Sequence, residues 1–130
     1  MRRLLFAIAL CAACTPVVML APPHMADGQR VRYVVEDLPP GVLGEARPYG
    51  GEVAIDAAML DAPPVVLAWL VYHEWCHMAG MVDEAEADRC AVRTMTRAGL
   101  LGPASLARLV TWWAARDAAR AVAIMEAGDG

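Results

Sequence analysis

Asp61-Ala62-Pro63-Pro64-Val65-Val66-Leu67-Ala68-Trp69-Leu70-Val71-Tyr72-His73-Glu74-Trp75-Cys76-His77-Met78-Ala79-Gly80 decides how this chain folds. An acidic cap and prolines in the first turn open a helix. Gly80 ends it near Ala79 by supplying a left-handed residue. Apart from one short string, the segment is apolar all round, so it belongs in a domain centre. The exception is His73-Glu74-Trp75-Cys76-His77, an H-E-x-x-H pattern. At 3.6 residues per turn, His73 and His77 stack on one helix face, where two imidazoles can grip one Zn²⁺. Glu74 stands beside them, placed to take a proton from metal-bound water.

Two His leave a catalytic zinc site one protein ligand short. Asp83, Glu84 and Asp88 compete for the place. Asp83 completes H-E-x-x-H-x-x-G-x-x-D, similar to the metzincin pattern with Asp for the last His. It also stands in capping-box spacing with Glu86, which explains it without metal. A metzincin would carry a Met-containing turn, whereas Met95 falls inside a helix. Only Gly80–Val82 separate the first helix from a second one over 83–98, so the two form an antiparallel hairpin. Glu84 then lies nearest His77. Asp88, one turn on, comes opposite His73. One carboxylate can complete the metal shell while the other fixes an imidazole by hydrogen bonding.

On His73, Glu74, His77, Glu84 and Asp88, within Glu84-Ala85-Glu86-Ala87-Asp88, the chain resembles the gluzincins. These are zinc peptidases with H-E-x-x-H on one helix and E-x-x-x-D on the next. The likeness spans about 62–97. It implies Zn²⁺ held by His73, His77 and Glu84, with Glu74 as general base and Asp88 orienting a ligand imidazole. It implies hydrolysis of a peptide or protein substrate by metal-activated water. Tyr49 is a candidate to steady the oxyanion, with Tyr72 and Arg47 behind it. Packing is the more ordinary role for each.

Outward from the motif, Arg30–Asp37 and Glu52–Asp56 read as strands by their β-branched content and alternation. The 38–51 stretch, with three Pro and four Gly, reads as a loop. Glu52–Asp56 is expected at a sheet edge, where an extended substrate can pair. A long final helix follows Gly102-Pro103 to about Ala127, with Leu106, Leu109, Val110 and Trp113 as its apolar stripe. Arg89, Arg93 and Arg97 share a face with Glu86 and read as solvated. The four Trp read as core. The expected class is α+β: a mainly helical, zincin-like domain over 30–130 with a small two- or three-stranded sheet.

The chain has 130 residues, enough for one domain. Its formal charge is −4 with no basic block, which argues against nucleic-acid binding. The apolar fraction of 58% exceeds the usual ~45–50%, and much of the excess lies before residue 22. Met1-Arg2-Arg3 followed by Leu4–Leu10 reads as an export signal, and 1–29 as signal plus tether. Ala12-Ala13-Cys14 resembles a bacterial lipobox, with Cys11 where Leu is usual. Lipid attachment at Cys14, ordinary cleavage and a retained membrane anchor all remain open. Each puts the domain outside the cytoplasm, periplasmic or at the cell envelope. His24, in the tether, reads as solvated. Cys76 and Cys90 are either a disulfide or two small buried side chains. A monomer is expected. A competing reading is a non-enzymatic cell-envelope binding domain with a structural metal or none. Another is a zinc hydrolase of a non-peptide amide.

Overall fold

The computed structural model describes Leu4–Leu5 and residues 27–130. The readings of a signal segment, of Cys11 and Cys14, and of His24 fall outside these residues; Leu4–Leu5 form a two-residue strand, β1. β2 (Arg32–Glu36), β3 (Gly44–Arg47) and β4 (Glu52–Asp56) complete a mixed sheet of order β1-β2-β4-β3. Four helices follow: α1 (Pro64–Met78), α2 (Glu84–Arg97), α3 (Pro103–Ala114) and α4 (Ala118–Gly128). The fold is α+β. Among the described residues no helix is long and apolar enough to cross a membrane.

The sheet corrects two expectations. The 38–51 stretch is not loop throughout, because Gly44–Arg47 form β3 and Pro48–Gly50 a 3-10 turn. Gly-Glu-Ala-Arg has little β propensity of its own. It is a strand because Gly51 (φ 61°) turns the chain back and β4 supplies the ladder, Gly44 opposite Ile55 and Arg47 opposite Glu52. In consequence β4 is not the edge. It lies between β2, which it meets in parallel, and antiparallel β3. β3 takes the free edge.

Period-two alternation sorts the sheet faces. Val31, Val53 and Ile55, with Tyr33 and Val35, join the core under the helices. On the other face Arg32, Glu52 and Arg47 stand in one cross-strand row. Arg32 Nε donates to Glu52 Oε2 at 2.9 Å and Arg47 Nη1 to Glu52 Oε1 at 2.8 Å, while Arg47 also holds Glu36. Burial by itself would raise the Glu52 pKa. The hydrogen bonds from Arg47 and Arg32 outweigh it and hold the carboxyl below its ordinary 4.5. A carboxylate whose folded pKa is depressed stabilises the fold above its unfolded pKa and loses that contribution as pH falls through the folded value. Glu52→Gln is therefore expected to cost about 1 kcal/mol at neutral pH. Melting curves of variant and parent should converge as the pH drops below 4.5.

α1 is the spine of the helical layer. Val66, Trp69 and Cys76 are fully buried on it, and Val71 and Leu70 nearly so. Each large apolar side chain so buried contributes roughly 1.5–3 kcal/mol. Asp61 does not cap α1, as its sequence position suggested. It closes a 3-10 turn (Ala57–Asp61), and the helix starts from Pro63 without a side-chain cap. α2 does begin at a capped Asp83, whose Oδ1 accepts from Glu86 N at 3.0 Å. The expected single final helix is two. The amides of Arg116 and Asp117 both turn back to the Trp113 carbonyl, and Asp117 Oδ1 caps α4 through Arg120 N at 3.0 Å. An aspartate that can cap competes with helix continuation, and here α4 folds back against α3 and α2.

Candidate metal centre

The α1–α2 hairpin brings three side chains to one point. His73 Nε2 and His77 Nε2 lie 3.0 Å apart. Glu84 Oε2 is 3.2 Å from His73 Nε2, and Glu84 Oε1 is 3.1 Å from His77 Nε2. Ligand bonds of about 2.0–2.1 Å at tetrahedral angles set donor atoms about 3.3–3.4 Å apart. The spacing found is close to that, so His73, His77 and Glu84 form a group that can hold a metal ion.

Each imidazole is fixed from behind. His77 Nδ1 sits 2.5 Å from the Met81 carbonyl, to which it can donate. His73 Nδ1 lies 2.8 Å from Asp88 Oδ1. With the Nδ1 atoms facing acceptors, both Nε2 atoms face the shared point, as a bound divalent ion requires, and Arg120 Nη2 stands beside it, 3.4 Å from His73 Nε2. Gly80 (φ 103°) makes this possible, since the chain must reverse at once after α1 for Met81 to face back onto His77. Asp83, the rival for the third position, is occupied as the α2 cap.

Glu74 projects from α1 toward the sheet edge, 6% exposed. Burial pushes its carboxyl above the ordinary carboxylate range, with Glu84 adding to the rise. His73, His77 and a hydrogen bond from the Ala46 amide pull the other way. β3 thus packs directly on the H-E-x-x-H helix. A Cβ built on Gly44 would stand 2.9 Å from Glu74 Cγ and 3.0 Å from its Oε1. Gly44→Ala must therefore displace the Glu74 carboxyl. We expect the variant to lose about 1–3 kcal/mol of stability, as overpacking does, which denaturant melts of variant and parent check.

Sequence reading missed Arg120. It reaches from α4 into the hairpin, donating through Nε to Asp88 Oδ2 at 3.0 Å and through Nη2 to Asp88 Oδ1 at 3.0 Å. Nη2 also donates to Glu84 Oε2 at 2.9 Å. Its guanidinium lies 4.5 Å from the Trp113 ring centre and 5.2 Å from that of Trp69. Asp88 is 3% exposed. Burial would raise its pKa, but hydrogen bonds to His73 and Arg120 prevail and hold it below the ordinary value. No local signal betrays Arg120. In one unbroken helix from Pro103 it would stand about 25 Å from the helix start. Only the break at Asp117 brings it home.

The named oxyanion candidates do not gather here. Tyr72 is 3% exposed in the core, and Arg47 is engaged by Glu36, Glu45 and Glu52. Tyr49 is fully exposed and is not among the residues lining the cleft over the site. That cleft, about 770 Å³, is bounded by β3 and its preceding loop on one side and by Trp113, Arg116 and Arg120 on the other. Cys76 and Cys90 form a disulfide with Cα atoms 6.1 Å apart, tying α1 to α2. Comparison with protein-family models, with curated proteins and with solved structures gives no match.

Proposed function

We propose that this chain is an exported zinc peptidase of gluzincin type. The observation that carries the reading is the meeting of His73 Nε2, His77 Nε2 and the Glu84 carboxylate within 4.8 Å, with Glu74 on the helix that bears both imidazoles. Two imidazoles and one carboxylate are the donor set of a catalytic zinc with an open position. The ion, when bound, acidifies a water and polarises a carbonyl. The protein's own groups do the rest. Glu74, buried and raised in pKa, takes a proton and returns it to the leaving amine. Asp88 and the Met81 carbonyl keep the His73 and His77 rings turned toward the site. Arg120 holds Asp88 and Glu84 in place against α4.

The free edge of β3 favours a peptide as substrate. The Asp56 amide donates to the Leu43 carbonyl, so Leu43 and, by alternation, Glu45 face β4. Gly44 then directs both its backbone groups and Ala46 its carbonyl outward, over the cleft, while the Ala46 N–H is taken by Glu74. An extended chain can add there as a further strand, its carbonyls brought over Glu74. The Cys76–Cys90 disulfide suits an oxidising compartment, consistent with export.

Metal analysis tests the reading. The purified protein is expected to carry one equivalent of zinc and to cleave an unstructured protein substrate. His73→Ala and His77→Ala should abolish zinc retention. Asp88→Asn should weaken affinity about 10–100-fold while leaving the ligand set intact. Protein that binds no divalent ion, or a parent that binds zinc and cuts nothing, would return the domain to the non-enzymatic envelope-binding class.

A further inference from the structure

A second groove, about 480 Å³, runs along the outer face of α2. Arg89, Arg93 and Arg97 line it at successive helical turns, with Thr94 between them and Glu86 as the carboxylate at one end. The sequence reads this stripe as a solvated face. Its surroundings say more. Arg32, Arg47 and Arg120 are each held by carboxylates. Arg89, Arg93 and Arg97 make no ion pair among the described residues. Acid is not scarce, since the chain carries a net −4. Three like charges stand one turn apart with only the Glu86 carboxylate at the end of the row, and an anion lying along them would relieve their repulsion.

Position supplies the second observation. Met81 lines both this groove and the cleft over the metal centre. The two meet at the α1–α2 turn, where the Met81 carbonyl faces His77 and Val82, 89% exposed, stands at the rim of the cleft. A chain leaving the cleft past Met81 enters the arginine groove. Arg89 to Arg97 cover about 12 Å of helix, the length of three or four extended residues.

We infer that this groove binds an acidic segment of the polypeptide substrate, several residues from the bond that is cut. The inference rests on the peptidase reading and makes the substrate acidic on one flank. Each guanidinium presents a planar fork suited to a carboxylate, and the row selects a run of Asp or Glu over an isolated charge.

The test uses the full protein and two peptide libraries with the same randomised core, one flanked at both ends by four Glu and one by four Gln. Cleavage is followed by mass spectrometry. The Glu-flanked library should be cut about tenfold faster at low salt, and the advantage should vanish at about 0.5 M salt. The triple variant Arg89→Gln, Arg93→Gln, Arg97→Gln should lose the advantage yet cut Gln-flanked peptides at the parental rate. Equal rates for the two libraries with the parent overturn the inference, as does an advantage that survives in the triple variant. Fluorescence anisotropy with labelled octaglutamate and octaglutamine separates failure here from failure of the peptidase reading. If neither library is cut, octaglutamate binding that the triple variant loses still supports an acidic-peptide groove, and absence of such binding overturns it. Binding to phosphatidylglycerol vesicles that the triple variant loses, with no preference for octaglutamate, overturns it in favour of a lipid surface.

Discussion

Glu74→Gln should lower kcat by about 100- to 10,000-fold while the protein keeps its zinc and its melting temperature. That loss corresponds to about 2.7–5.4 kcal/mol of transition-state stabilisation. The expectation follows from where the carboxyl stands. Glu74 shares a helix with both imidazoles but is absent from the cluster of metal-competent atoms. The amide keeps shape and can still accept from the Ala46 N–H, while it cannot carry a proton. KM should move little, because the backbone edge that would hold the substrate is untouched. Zinc analysis beside steady-state kinetics separates the outcomes. Parental turnover in the variant would remove Glu74 from the chemistry. Loss of zinc would recast it as a ligand.

Replacing both cysteines, Cys76→Ala with Cys90→Ala, is expected to destabilise the domain by about 3 kcal/mol. The bridge closes a loop of 14 residues, for which chain-entropy reasoning gives that magnitude. In a domain of this size the melting temperature should fall by about 10–20 °C. Zinc affinity should fall with it. Cys76 lies between His73 and His77, and Cys90 one turn beyond Glu86 and two residues after Asp88. The bridge therefore fixes the spacing between the imidazole pair and the carboxylates. Reductant added to the parent should reproduce both effects. An unchanged melting curve on reduction would show that packing of α1 on α2 suffices.

The helical hairpin was legible because its signals are local. The stack of His73 on His77 follows from helical pitch, the turn from Gly80, the start of α2 from Asp83, and the placing of Glu84 and Asp88 from one-turn spacing. The sheet was half legible. Arg32–Glu36 and Glu52–Asp56 carry apolar alternation, but Gly44–Arg47 has no pattern of its own and is a strand only because β4 is there to pair with it. With β3 unseen, the free edge was assigned to the wrong strand. The last third failed at one residue. Asp117 reads equally as a surface acid within a helix or as a cap, and only the packing of α4 on α2 and α3 decides. Arg120 was lost with it. The disulfide was undecidable from helical phase, because its Cα separation depends on how closely the two helices pack.

From His73 to Cys90 the chain carries the three side chains that can hold a metal, Glu74 next to His73, Asp88, the carbonyl of Met81 and the clasp that ties the two helices. Arg120 from α4 and the Ala46 amide from β3 come from afar. A centre written in so short a run is nearly a cassette, and a transplant of the hairpin onto a foreign helical pair would have to carry with it only an arginine opposite and the strand that packs on Glu74.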